Sequence, residues 1–307
     1  VLEDAYAHCH SIVAARAKNF LYAFKLLPAE RRRALEAIYA YCRLADDFAD
    51  DDDIEQAERA RLLHGLRRKL AEVCGADFQG ASPRGSETDP LEISAEVELV
   101  MQAVGDAARR FHVAYADLDE VAKGCEQDLV VRRYETFAEL HAYCYQVASA
   151  VGLACLDVFG YTGDRESARA LAEDLGIAMQ LTNIIRDIQE DLERDRVYLP
   201  QEDLRRFGVS EADLELGVMS PAMRELIQFQ VARAEDYFSR GALLAPRVLR
   251  AARVCPLALA GIYRALLREI ERRDYDVFSE RVSLGSGRKL ALMLWSMGRA
   301  YTLRGVS

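Results

Sequence analysis

Gln180-Leu181-Thr182-Asn183-Ile184-Ile185-Arg186-Asp187-Ile188-Gln189-Glu190-Asp191 is the stretch whose reading decides the fold. At about 100° per residue, Asn183, Asp187 and Asp191 fall in a narrow arc with Gln180 inside it. Ile177, Leu181, Ile184, Ile185, Ile188 and Leu192 fill the adjoining arc. The pattern predicts an amphipathic helix whose carboxylates border the buried stripe rather than oppose it. A charged row at the edge of a core is costly unless it is paired or bound to a metal. Purely structural helices turn such rows toward solvent.

A second acidic row lies far upstream, in Tyr39-Ala40-Tyr41-Cys42-Arg43-Leu44-Ala45-Asp46-Asp47-Phe48-Ala49-Asp50-Asp51-Asp52-Asp53. On a helix, Tyr39, Arg43, Asp46 and Asp50 line one face, an aromatic, a cation and two carboxylates in succession. A run of aspartates is by itself most often a solvated helix end. Here it would sit at a helix C-terminus, where the dipole disfavours acids and a bound cation would relieve the cost.

Together the two rows offer Asp46, Asp50, Asp187 and Asp191 with the amide carbonyl of Asn183, all hard oxygen donors. Mg2+ favours such donors and completes its shell with water and phosphate oxygens. A di-iron bundle is excluded, because that chemistry needs Glu-x-x-His pairs. The positions three before His8, His10, His64, His112 and His141 are Ala5, Ala7, Arg61, Arg109 and Ala138. Diphosphate leaves only when its charge is neutralised, a role that two or three Mg2+ with Arg43 and Arg186 nearby would fill. The allylic cation left behind needs a dry, apolar pocket with aromatic faces.

The rest of the chain agrees with an all-α reading. Long stretches are rich in Ala, Leu, Glu and Arg, and only 7 prolines interrupt the 307 residues. Leu35, Ile38, Tyr39 and Cys42 form one stripe at helical spacing, and Val97, Val100, Met101, Val104 and Ala108 form another. Breaks are short: a Gly- and Pro-rich loop over residues 75–90, a turn at 160–164 with Asp164 as a cap, and a break over 194–210 with Ser210 as a cap. No repeat is visible, so residues 1–307 are expected to form one helical domain.

The net charge of −10 argues against a nucleic-acid partner. The 7 cysteines are scattered with no CxxC pair, which fits a reducing cytosol. No secretory leader is read at Val1-Leu2-Glu3-Asp4. Even the apolar stretch 147–159 is cut by Asp157, so no spanning helix is predicted. The expectation is a cytoplasmic protein, with peripheral membrane contact left open.

The two rows and several further segments resemble the squalene/phytoene synthase family of head-to-head prenyl diphosphate coupling enzymes, over nearly the whole chain. Residues 39–50 match its Tyr-x-x-Cys-Arg-x-x-Asp-Asp-x-x-Asp motif, and residues 180–191 its Gln-x-x-Asn-x-x-Arg-Asp-x-x-x-Asp motif. Gly124-Cys125-Glu126-Gln127-Asp128-Leu129 is similar to its Gly-Met-x-x-Asp-Leu. Tyr143-Cys144-Tyr145-Gln146-Val147-Ala148-Ser149-Ala150-Val151-Gly152 is similar to its Tyr-Cys-x-x-Val-Ala-x-x-Val-Gly helix. Arg196-Val197-Tyr198-Leu199-Pro200 resembles its Arg-x-Tyr-Leu-Pro turn, and Tyr263 and Lys289 fall where its C-terminal Tyr and Lys lie. Two departures stand out: Arg16-Ala17-Lys18-Asn19-Phe20 replaces His/Lys-Ser-Lys-Ser-Phe, and Cys125 replaces the usual Met.

The resemblance implies an isoprenoid-synthase bundle around a central cavity, with Asp46, Asp50, Asn183, Asp187 and Asp191 as Mg2+ ligands. It implies Lys18, Asn19, Tyr39, Arg43, Gln180, Arg186, Arg196, Tyr198, Tyr263 and Lys289 as substrate contacts, and Tyr143 for proton handling or cation stabilisation. The implied reaction joins two prenyl diphosphates through a cyclopropylcarbinyl diphosphate. The Tyr275-Asp276-Val277-Phe278 region resembles bacterial hopanoid-pathway members and puts farnesyl diphosphate first as substrate, giving presqualene diphosphate and onward squalene. The alternative is phytoene from two geranylgeranyl diphosphates, and an alternative of another class is a non-catalytic helical assembly factor. The chain ends at Ser307 without the C-terminal anchor of eukaryotic squalene synthases, which favours a soluble bacterial type. NADPH use and oligomeric state are left open, since reductive members carry no Gly-rich dinucleotide fingerprint.

Overall fold

A computed structural model describes residues 1–16, 23–51, 53–78, 94–303 and 305. Lys18 and Asn19 lie outside the described residues, as does most of the predicted loop over 75–90. Helices dominate throughout. They are α1 (Leu2–Arg16), α2 (Ala29–Asp50), α3 (Gln56–Cys74), α4 (Ala95–Phe111), α5 (Tyr115–Asp128), α6 (Phe137–Cys144) and α7 (Ala150–Phe159). There follow α8 (Arg165–Arg186), α9 (Ile188–Glu193), α10 (Gln201–Phe207), α11 (Glu211–Leu216), α12 (Pro221–Gly241), α13 (Val254–Arg272) and α14 (Ser286–Thr302). The described residues contain no strand, only isolated bridges at Arg133–Val197 and Tyr161–Val248.

The helix ends follow local chemistry. Asp164 accepts from the Ser167 amide at 2.7 Å, so the predicted cap opens α8. Ser210 and Asp213 close a reciprocal capping box on α11. The predicted break over 194–210 is partly helical instead: Pro200 precedes α10 and Gly208, at φ 66°, ends it, so the two residues delimit a short helix. Every member of the stripe from Val97 to Ala108 is buried in α4.

α2 packs against α1, α4 and α5, while α8 packs against α7 and α12, with α13 beside them. Between α6 and α7 the chain makes a π-helical turn, Tyr145–Ser149, that lies against α5 and α8. Two glycines allow that approach. A Cβ on Gly176 would stand 2.6 Å from Ser149 Cα, and one on Gly124 would stand 2.5 Å from Val147 Cγ1. Both helices therefore pass the turn at backbone distance.

One sequence expectation needs correction. The continuous run Phe137–Phe159 is long and apolar enough to cross a membrane by length and composition, despite Asp157. Half of its most apolar window is buried within the bundle. Packing against α5 and α8 accounts for its apolar character.

Candidate active site

A cavity of about 360 Å³ lies among α2, the π-turn and α7, α8 and α13. Its wall is mainly apolar: Phe24, Leu35, Ile38, Val147, Val151, Phe159, Leu175, Met179, Leu244 and Leu259 all contribute. Along α2 the lining runs from Leu35 through Tyr39 to Asp46, and along α8 from Ala172 through Gln180 to Asn183. Each wall thus passes from apolar to polar toward the helix C-terminus. The polar ends converge, because Arg196, just beyond α9, donates to Asp50 at 3.0 Å.

The second row is not one helix. α8 stops at Arg186, Asp187 sits at φ −105° and ψ 19°, and α9 begins at Ile188. Backbone bonds span the break, Asp187 N to Asn183 O at 2.8 Å and Asp191 N to Asp187 O at 2.9 Å. The predicted order of Asn183, Asp187 and Asp191 therefore survives with a kink at its centre.

Each row holds one carboxylate in ion pairs and one outside them. Asp50 accepts from Arg194 at 2.8 Å as well as from Arg196. Asp187 accepts from Arg186 Nε at 2.7 Å and from Arg281 Nη2 at 2.8 Å. Asp46 and Asp191 have no ion pair among the described residues. Asp46 meets the Cys125 thiol, with Sγ 3.5 Å from Oδ1. Although open to the cavity by surface area, it is walled round by protein. That enclosure pushes its carboxyl up to about 7, with Asp50 and Asp128 adding repulsion against the opposing pull of Arg43 and the Cys125 contact. Asp191 is also pushed up to about 7, by burial first and then by Asp187, with Asp128 and Glu190 contributing and Arg196 opposing.

Several polar atoms await a partner. Asn183 donates from Nδ2 to Gln180 Oε1 at 3.3 Å, and its Oδ1 is buried without a hydrogen bond. Arg43 Nε and Arg196 Nε are buried donors likewise without an acceptor. Hard oxygen donors, an orphaned carbonyl oxygen and two carboxyls that resist ionisation fit a divalent cation. No group of three acidic, histidine or cysteine side chains is already gathered as a metal cluster among the described residues. Asp50 and Asp187 are held by guanidinium groups instead, so a cation would have to displace those pairs.

Behind the polar mouth lies an aromatic cluster. Asp128, at the end of α5, accepts from Tyr143 OH at 2.7 Å and Tyr198 OH at 2.9 Å. The Tyr143 and Tyr198 rings stack at 5.2 Å, and Tyr134 packs on both. Burial raises the Asp128 carboxyl, with Arg196 and the two phenols opposing. Tyr143 is buried within this cluster and is not among the cavity-lining residues.

Of the residues singled out in the sequence, Tyr39, Asp46, Gln180, Asn183 and Tyr263 line the cavity. Asp50, Asp187, Asp191, Arg196 and Tyr198 gather beside it, while Arg43 pairs with Asp47 and Arg186 with Asp187. Lys289 stands in the first turn of α14, outside the lining. Three participants escaped the sequence reading. Asp128 lay inside a quoted motif without a role, and its acid among buried aromatics was the available signal. Arg194 and Arg281 reach Asp50 and Asp187 from outside the motifs, and no local pattern announces them.

The squalene/phytoene synthase family matches residues 13–288. The 15-cis-phytoene synthase of Synechococcus elongatus is 36% identical, with 98% of this chain and 95% of that protein aligned. The phytoene synthase of Mycobacterium bovis is 33% identical, covering 98% and 93% of the two chains. Among solved structures, a dehydrosqualene synthase in complex with ligand superposes with TM-score 0.83 at 28% identity over 98% of each chain. A squalene synthase from Alicyclobacillus acidocaldarius shares the fold, with TM-score 0.76 at 22% identity over 90% of this chain and 96% of that one.

Proposed function

The chain belongs to the squalene/phytoene synthase family, and from that premise we propose that it condenses two geranylgeranyl diphosphates head to head into phytoene. The family assigns it as a prenyltransferase acting on prenyl diphosphates. The observation that carries the reading is the cavity itself, apolar along its length and polar where Asp46, Gln180 and Asn183 meet. The sequence analysis put farnesyl diphosphate first. The two relatives above, aligned over 98% of this chain and named phytoene synthases, move the weight to the C20 substrate.

When bound by Asp46, Asp50, Asn183, Asp187 and Asp191, Mg2+ would neutralise diphosphate charge and make it a leaving group. Arg43 and Arg196 offer buried N–H groups to diphosphate oxygens, and Arg186, paired with Asp187, adds a further cation to the second row. Tyr39, Gln180 and Tyr263 orient the head group at the mouth. The apolar wall holds the hydrocarbon tails and keeps water from the allylic cation formed when the first C1–O bond breaks. The second substrate's double bond attacks that C1, and one proton leaves as the cyclopropane closes. Loss of the second diphosphate, ring opening and loss of another proton complete a C40 triene core, two diphosphates and two protons, with no reductant consumed. The Tyr143–Asp128–Tyr198 cluster holds the end of α5 and its charge beside Asp46 and Asp191.

A second reading, two farnesyl diphosphates to presqualene diphosphate, is supported by the likeness to the dehydrosqualene synthase. Incubation with each diphosphate and Mg2+, with and without NADPH, followed by mass spectrometry separates the two. A C40 hydrocarbon from geranylgeranyl diphosphate without NADPH is expected. Product from farnesyl diphosphate alone would overturn the choice of substrate.

A further inference from the structure

The connection between α12 and α13 carries Arg247, Arg250 and Arg253 at three-residue spacing, and residues 245–253 include no acid. None of the three arginines pairs with a carboxylate among the described residues. Arg253 is only 5% exposed, so its charge is taken out of water. Backbone carbonyls hold it: Nε and Nη2 donate to Val248 O at 3.2 and 3.0 Å, Nη2 donates to Pro246 O at 3.0 Å, and Nη1 donates to Leu303 O at 2.7 Å. Carbonyls satisfy those hydrogens and leave the charge standing, with one N–H of Nη1 uncommitted. Burial holds the Arg253 guanidinium below its usual range, and repulsion from Arg250 lowers it further. A buried cation without a counter-charge is costly, and a second cation beside it adds to the cost.

Arg250 and Arg253 line a pocket of about 510 Å³ together with Thr162, Leu249, Tyr301 and Leu303. Among the described residues no acidic side chain lines it. The Tyr301 ring steadies the exposed Arg250, whose guanidinium carbon lies 4.6 Å from its centroid. We infer that this pocket binds an oxyanion of the phosphate or diphosphate class, at a site separate from the cavity described above. The two linings share no residue. One divalent anion neutralises both guanidinium groups, whereas a single carboxylate leaves one charge over, and phosphate oxygens match the planar fork of arginine. The place has a consequence for the first cavity. Leu244 and Pro256, just outside the two ends of this connection, line that cavity, so an anion on Arg250 and Arg253 bears on a segment that also builds its wall. The inference goes beyond the proposed reaction, and its test does not depend on turnover.

Isothermal titration calorimetry of the full chain with inorganic phosphate, and then with inorganic diphosphate, at fixed ionic strength and with EDTA present, keeps Mg2+ out of the acidic rows. Both anions are expected to bind, diphosphate more tightly. Arg43 and Arg196 at the cavity mouth also attract anions, so hydrogen exchange supplies the location: slower amide exchange is expected over residues 247–254 and 299–303. Arg250→Ala, at an exposed position, should weaken binding about tenfold with the thermal melt kept. Full affinity in that variant, or no protection over 247–254, overturns the site. Protection confined to 39–50 and 180–191 assigns the anion to the acidic rows and overturns it equally. Acetate binding as tightly as phosphate at the same ionic strength overturns the class of ligand. Failure of the condensation reaction would leave all of these readings as they are.

Discussion

The two acidic rows are alike in composition and differ in construction. Asp46 and Asp50 ride one unbroken 22-residue helix, which fixes their separation rigidly. Asp187 and Asp191 straddle the junction of α8 and α9, where Asp187 has left helical geometry. The first row is anchored from outside: Arg194 and Arg196, downstream of the second row, hold Asp50. The second is anchored by its own neighbour Arg186 and by distant Arg281. One row is thus a rail and the other a joint, tied across the cavity mouth by arginine. In both, the carboxylate outside the ion pairs is the one whose protonation is pushed to about 7.

The largest effect that bears on this contrast is on turnover. Asp46→Asn and Asp187→Asn should each lower kcat on the order of 10³-fold, measured as diphosphate release. A variant that kept its turnover would remove its row from the catalytic site. Next comes the arginine tie. Arg196 is buried beside Asp50 and Asp128, and Arg196→Ala should cost about 3 kcal/mol in chemical denaturation, since it strands buried charge. Arg194, half exposed, should cost under about 1 kcal/mol as alanine. Equal losses would mean that the tie is not centred on Arg196.

The pH dependence follows from the unpaired members. Both carboxyls titrate above the ordinary carboxylate range, so ionising them costs the fold stability as pH rises toward 7, and that cost is complete above it. Below 7 the bound protons compete with a cation. Thermal stabilisation by Mg2+ with inorganic diphosphate should therefore be larger at pH 8 than at pH 6, with apparent affinity falling up to roughly tenfold for each carboxyl per pH unit as pH drops below about 7. In Asp191→Asn one of the two protons disappears from this competition, so the pH slope should flatten. An unchanged slope would detach Asp191 from the cation. The smallest effect concerns the cluster behind the mouth: Tyr143→Phe removes one hydrogen bond to Asp128 and should cost about 1 kcal/mol.

The sequence alone carried the all-helical class and both rows, because each depends on spacing that a helix converts into a face. It also carried the caps at Asp164 and Ser210, whose side chains act on amides three residues away. The kink at Asp187 was hidden: no glycine or proline marks it, and the flanking isoleucines keep helical spacing across it. Arg281 lies 94 residues from its carboxylate partner and Arg194 lies 144 from Asp50, and periodicity holds no information at that range. The phenol pair on Asp128 joins three separate segments, a meeting that only tertiary packing creates. Lys289 shows the converse, a motif match that packing leaves away from the cavity wall.

The π-turn at Tyr145–Ser149 also bears on inheritance. Its ring holds one residue more than an α-helical turn, so the surplus residue is taken up within the turn itself. A codon lost from regular helix rotates everything beyond it by about 100° about the helix axis. A codon lost at the π-turn would instead restore an α-helical turn, leaving Val151, Cys155 and Phe159 on the cavity wall and Tyr143 upstream on Asp128. The wall thus contains a place where its length can change in a single generation without its face being redrawn.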